Sequence, residues 1–93
     1  MIVGVLRIEL AVFEAQSLKD KRQAIKGLKQ RLRDRFNVSV AEVQHHELHK
    51  RCTLGLAMVS TESRATHSQF DKMVELVRRA PRVSLLDYQR EFY

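Results

Sequence analysis

Ile2-Val3-Gly4-Val5-Leu6-Arg7-Ile8-Glu9-Leu10-Ala11-Val12 is the stretch on which the fold turns. Ile2, Gly4, Leu6, Ile8, Leu10 and Val12 share one side, and the two charged residues, Arg7 and Glu9, fall on the other. Successive side chains of a strand alternate in this way, so the run predicts one long β-strand. Val3 and Val5 make its first half apolar on both faces, as expected of a strand central in its sheet.

Ser17-Leu18-Lys19-Asp20 follows and matches a capping box, with the Ser17 hydroxyl on a first-turn amide and Asp20 reaching back to the cap. Leu18, Ile25, Leu28, Leu32 and Phe36 recur at helical spacing and form one apolar stripe, which predicts a helix over 18–36 with Asn37 as a left-handed terminator. Val38 to about Gln44 is short and β-branched, and the polar run His45-His46-Glu47-Leu48-His49-Lys50 reads as a turn. From Arg51 a third strand places Cys52, Leu54, Leu56 and Met58 on one face and Thr53, Gly55, Ala57 and Val59 on the other. Ser60-Thr61 is the expected cap of a second helix whose stripe is Phe70, Met73, Val74 and Val77 and whose end is marked by Pro81; Val83 to Phe92 closes the order as a fourth strand. The order βαββαβ, with two helices that each need an apolar sheet face, predicts an α+β, ferredoxin-like domain over residues 1–93. Its four antiparallel strands carry both helices on one face, the first and third strands are central, and the other face stays open.

Composition bounds the function. Ninety-three residues with 44% apolar and 30% charged side chains, three Gly and one Pro suit one core without a low-complexity linker. The single cysteine, Cys52, cannot build a disulfide framework or a cysteine-rich zinc site, which fits a reducing cytoplasm. Arg7 and Glu9 interrupt the apolar opening, so it does not read as a targeting segment, and no run is long enough to span a membrane.

The charge is local. Between Lys19 and Arg35 lie eight basic residues and two acids, Asp20 and Asp34, while the rest of the chain is balanced; the first helix therefore carries the whole net charge of +6. On a helical wheel Lys19, Arg22, Lys26, Lys29 and Arg33 fall along one flank of the apolar stripe, free of acid, over about 21 Å of axis. A merely solvated face would alternate Glu with Lys, yet Arg22/Lys26, Lys29/Arg33 and Arg31/Arg35 are like charges four apart, each costing roughly 0.2–0.5 kcal/mol. Lys19, Lys21 and Arg22 also crowd the end where the helix dipole is already positive, whereas the second helix starts with Glu62 and ends in Arg78-Arg79. An external polyanion would offset both costs, with Ser17 and the first-turn amides as an anion seat.

Other constellations carry less. The third strand has no aromatic residue, and Phe13 is the one open-face aromatic expected near the sheet centre, so the stacking platform of an RNA-recognition motif is missing. His46-Glu47-Leu48-His49 is one residue short of a zincin spacing, and no closing ligand is evident, so no metal is expected. Cys52 alternates with Leu54 and Leu56 as a small core residue, and His67 reads as a surface residue. Acylphosphatases of this size hold phosphate in a Gly-rich loop after the first strand, but Phe13-Glu14-Ala15-Gln16-Ser17 has no Gly. No catalytic constellation or cofactor site emerges. Gly27, inside the first helix and off its stripe, costs up to about 1 kcal/mol relative to Ala and would suit a close partner backbone.

Ser17-Leu18-Lys19-Asp20-Lys21-Arg22, Leu28-Lys29-Gln30-Arg31-Leu32-Arg33, Arg35-Phe36-Asn37-Val38-Ser39-Val40-Ala41-Glu42 and Thr53-Leu54-Gly55 together resemble the YlxP-like family of small bacterial proteins of unknown function, over nearly the whole chain. The resemblance implies a ferredoxin-like fold and genes often placed beside translation and transcription factors, which favours ribosome-associated RNA contact. It brings no catalytic residues. The expectation is a cytoplasmic, non-enzymatic module that contacts structured RNA or a ribosomal subunit through Lys19, Arg22, Lys26, Lys29, Arg33 and Ser17. The rival is a homo-oligomer whose basic helix is only solvated, and a small phosphate-handling enzyme is a distant third. Separately, Val3, Val5, Ala11, Phe13, Ala57 and Val59 on the open sheet face would suit a modest homodimer.

Overall fold

At Gly4 a helix comes close to the sheet: a Cβ there would lie 2.5 Å from Thr66 Cγ2 and 3.1 Å from the Phe70 ring. The computed structural model describes Met1–Tyr93 as β1 (Ile2–Ala11), α1 (Leu18–Arg35), β2 (Ser39–Gln44), β3 (Arg51–Ser60), α2 (Ser63–Arg79) and β4 (Ser84–Phe92). The sheet is antiparallel in the order β2-β3-β1-β4, so β1 and β3 are central as their apolar faces require. Both helices pack on one face. Leu6, Ile8, Leu10 and Val12 meet Cys52, Leu54 and Leu56 of β3, Ile25, Leu28 and Leu32 of α1, and Phe70, Met73, Val74 and Val77 of α2 in one buried cluster.

The capping box is rearranged. Ser17 Oγ accepts from Asp20 N at 3.1 Å, but the Asp20 carboxylate accepts from Gln16 N at 2.9 Å rather than from the cap residue itself. At the other end Phe36 is an extended C-cap, and Asn37 is not left-handed; the chain runs straight into β2 without needing a positive-φ residue. The α2 cap also differs from expectation. Glu62, not Ser60 or Thr61, is the N-cap, with no side-chain cap bond, so it is the cap residue and the first turn holds no acid. The Ser60 hydroxyl instead shares a hydrogen with buried Thr66 Oγ1 at 2.5 Å.

Two bulges change the strand phase. Glu42 pairs with Leu54 and Gln44 with Thr53, leaving Val43 as an extra residue whose side chain leans over Gly55. Glu9 pairs with Asp87 and Leu10 with Leu85, leaving Leu86 unpaired in β4. Beyond that bulge Tyr88, Arg90 and Phe92 turn to the helix side, where Phe92 stacks at 4.4 Å on His67 and Arg90 binds Asp71.

The open face is divided by a polar band. Thr53 Oγ1 donates to Glu9 Oε2 at 2.6 Å, Arg7 Nε donates to Glu9 Oε1 at 3.1 Å, and Arg7 reaches Gln44. Thr53 is fully buried beneath this band, and its hydrogen bond, with help from Arg7, holds the Glu9 carboxyl below its ordinary range against the opposing effect of burial. Phe13 lies past the end of β1, not near the sheet centre, and Tyr93, paired with Val3 through both backbone hydrogen bonds, adds a second aromatic to the far end of this face.

Candidate nucleic-acid interface

The stripe that seats α1 on the sheet contains one charged residue. Lys21 lies on it with Leu18, Ile25, Leu28 and Leu32, and is only 1% exposed. A buried ammonium must have its hydrogens satisfied. Lys21 Nζ donates to the carbonyls of His45 and Leu48, each at 2.7 Å, and lies 2.7 Å from Glu42 Oε2. His45 takes a positive φ of 65°, which turns the β2–β3 connection over the ammonium. Glu42 is carried on the inner face of edge strand β2, where the Val43 bulge ends the alternation. Beside it, burial first and then the Glu42 charge push the Cys52 thiol up to about 12, so at neutral pH this cysteine is an inert core group.

Withdrawing Lys21 leaves the outer basic residues of α1 without acids. The four ion pairs of the fold are Arg7–Glu9, Lys21–Glu42, Arg79–Glu75 and Arg90–Asp71, so Lys19, Arg22, Lys26, Lys29, Arg31, Arg33 and Arg35 have none. The two acids of the helix are engaged elsewhere: Asp20 by the backbone of Gln16 and Asp34 by the Gln30 amide at 2.8 Å. The like-charge pairs along α1 therefore keep their repulsion.

Four of the six expected site residues come together. Arg22, Lys26, Lys29 and Arg33, with Ile25, Gln30 and Glu42, line a groove of about 400 Å³ between α1 and β2. Arg33 Nη2 donates to the Val40 carbonyl at 2.6 Å, which anchors one end of the row to the edge strand. Lys19 lies outside the groove, one turn before Arg22. Ser17 sits at the N-cap with its oxygen already accepting from Asp20 N, and the Asp20 carboxylate shares that end of the helix. The groove can hold an extended anion. Its one carboxylate, Glu42, is neutralised from behind by Lys21, and its length along the helix from Arg22 to Arg33 is about 16 Å.

Residues 3–90 match a family described as Protein of unknown function (DUF503). The chain belongs to that family. It is 25% identical over 92 residues to the Uncharacterized protein YlxP of Bacillus subtilis (strain 168), covering 99% of this chain and 100% of that one. Among solved structures it resembles two de novo designs. One is Ferredog-Diesel, with a TM-score of 0.53 at 10% identity, covering 96% of this chain and 83% of the design; the other, LFR1 1 with ferredoxin fold, has 0.55 at 11%, covering 99% and 85%. These likenesses show the ferredoxin-like fold. No helix is long and apolar enough to cross a membrane.

Two residues of this region escape a reading of the sequence. Lys21 counts as one more surface cation unless its place at the i+3 position of the Leu18–Ile25–Leu28 stripe is weighed. Glu42 becomes part of the groove only through the β2 register, which nothing local in its sequence specifies.

Proposed function

We propose that this member of the family is a cytoplasmic, non-enzymatic module that contacts structured RNA, with ribosomal RNA as the leading partner, by laying α1 along the phosphate backbone. The observation that carries the reading is the set of unpaired cations on α1, four of which converge on one groove opposite a wall whose carboxylate already has its own counter-ion. The helix accepts uncompensated repulsion that a phosphate chain would relieve. No aromatic residue lines the groove, so contacts go to the backbone and recognition is weakly dependent on sequence.

Co-sedimentation with ribosomal subunits at low salt, and release at high salt, is the direct test. Each neutralised phosphate contributes about −0.7 to −0.9 to the slope of log K against log salt, so a groove of four cations gives about −3 to −4. All seven unpaired cations acting together would give about −5 to −6. Lys26→Glu with Lys29→Glu should weaken binding to every RNA about equally. Affinity that survives 0.5 M salt, or that ignores the double change, refutes the reading.

A second reading has its own observation. On the open face Val5, Ala41, Val43, Gly55 and Ala57 line an apolar hollow of about 300 Å³, and Val59 is 59% exposed. Such a surface favours a modest homodimer, limited by the Arg7–Glu9 band that crosses it. Sedimentation equilibrium at micromolar concentration decides: a strict monomer, or a dimer untouched by Val5→Asp with Val59→Asp in folded protein, removes it.

A further inference from the structure

Gln30 is the neutral hydrogen-bonding side chain in a groove otherwise lined by four cations, one carboxylate and one apolar residue. Its orientation is fixed by chemistry. An ionised carboxylate only accepts, so the amide atom 2.8 Å from Asp34 Oδ1 must be the nitrogen. Gln30 is exposed on the lining of the groove it shares with Lys26, Lys29 and Arg33, and its carbonyl oxygen makes no hydrogen bond within the protein. A phosphodiester has acceptors only and cannot satisfy that oxygen. A ligand that uses this acceptor as well as the cations brings a hydroxyl donor interleaved with its anionic oxygens. The row of cations extends about 16 Å from Arg22 to Arg33, longer than any single phosphate, so the ligand is a chain. The ribose–phosphate backbone is a polymer of this kind, with one negative charge and one free hydroxyl per repeat, and its 2′-hydroxyl is the group DNA lacks.

Building on the proposed role of this groove in RNA contact, we infer that Gln30, held by Asp34, accepts a hydrogen bond from a ribose 2′-hydroxyl and makes the basic groove select RNA over DNA. The cations supply the affinity and Gln30 supplies the discrimination.

The test is a thermodynamic cycle on the intact protein, using one duplex sequence as RNA, as 2′-fluoro RNA, and as DNA. Fluorine at the 2′ position keeps the A-form helix but removes the donor, so it separates hydrogen bonding from duplex shape. A single neutral hydrogen bond corresponds to roughly a threefold to tenfold change in affinity. Wild-type protein should bind RNA tighter than 2′-fluoro RNA by that factor. Gln30→Met, which keeps the length and helix propensity but has no amide, should bind RNA and 2′-fluoro RNA equally. Asp34→Ala removes a negative charge and so tightens every duplex somewhat, but frees the amide and should narrow the ratio of RNA to 2′-fluoro RNA. Equal binding of RNA and 2′-fluoro RNA by wild type, or a preference that persists in Gln30→Met, overturns the inference. If those results come with salt-dependent binding that Lys26→Glu and Lys29→Glu abolish, the groove still binds the backbone and only the role of Gln30 falls. If no duplex binds at low salt, both readings fall together.

Discussion

Lys21→Met probes the buried ammonium with little change in side-chain length. Methionine keeps the apolar stem on the α1 stripe but removes the charge and all three donors. Glu42 then faces a buried thiol without its counter-ion, and the carbonyls of His45 and Leu48 lose their partner. Removing one member of a buried pair costs about 3–5 kcal/mol, and Glu42, with 16% of its side chain exposed, retains enough water contact to favour the lower figure. At about 0.05–0.15 kcal/mol per residue the whole fold is stable by about 5–14 kcal/mol, so the loss is a large fraction. The midpoint of thermal unfolding should fall by about 12–24 °C, taking about 4–8 °C per kcal/mol. Urea unfolding of Lys21→Met, Glu42→Gln and the double variant measures the coupling. Glu42→Gln should destabilise the parent but stabilise the Lys21→Met protein, because there it removes an orphaned charge. RNA binding provides a second readout. Lys21 does not reach the surface, yet its loss should weaken binding by exposing the groove to the Glu42 charge, and Glu42→Gln should restore it. A cost for Lys21→Met below about 1 kcal/mol, or effects of the two changes that add within about 0.5 kcal/mol, would refute the reasoning.

Gly4→Ala should destabilise by about 1–3 kcal/mol in urea melts, because its Cβ would sit 2.5 Å from Thr66 Cγ2; Thr66→Ser, which deletes that methyl, should recover part of the loss. Gly27→Ala should do the opposite and stabilise by up to about 1 kcal/mol, since nothing lies within 4 Å of the new methyl; weaker RNA binding by this more stable protein would reveal a close backbone approach there. Glu9 titrates below its ordinary value of 4.5, so its contribution to stability is fully present above that pH and is lost as pH falls through the lower folded-state value. Thr53→Val removes the main cause and should raise the Glu9 pKa in a carboxyl NMR titration, while flattening the acid limb of stability against pH.

The central strands were legible because each is buried on the helix side over most of its length. Leu6, Ile8 and Leu10 face Leu56, Leu54 and Cys52 pair by pair, so a slip of one residue would send every one of them to the open face. α1 was legible for a related reason: its stripe is long, and Ser17 marks where it starts. The edge strands were not. Val43 and Leu86 each insert one residue, and a bulge reverses the inside–outside phase of everything beyond it. Nothing in Ser39–Gln44 or Ser84–Phe92 taken alone marks those positions, because the extra residue is defined by the partner strand. The α2 cap misled for a similar reason. The Ser60 hydroxyl meets Thr66 Oγ1 and the Glu62 carbonyl instead of a first-turn amide, an arrangement that needs the end of β3 and the first turn of α2 to be adjacent already.

The candidate site divides along the same line. A helical wheel is enough to gather Arg22, Lys26, Lys29 and Arg33, since their spacing depends only on α1. It is blind to the opposite wall. Glu42 reaches the groove through the β2 register, and a carboxylate there, taken by itself, would repel phosphate. Lys21 resolves that conflict from the other side of the helix. By moving one cation of the +6 chain into the core, the fold gives up a surface charge and neutralises the one acid that lines the groove. It also pins the β2–β3 connection through His45 and Leu48. The two features that looked unrelated in the chain, a lysine on an apolar stripe and a glutamate in a β-branched strand, are one device: each is tolerable in its place only because of the other. The cationic groove depends on that pair although neither member need touch the ligand, so its electrostatics belong to the packing of α1 on β2 as much as to the charge of α1 itself.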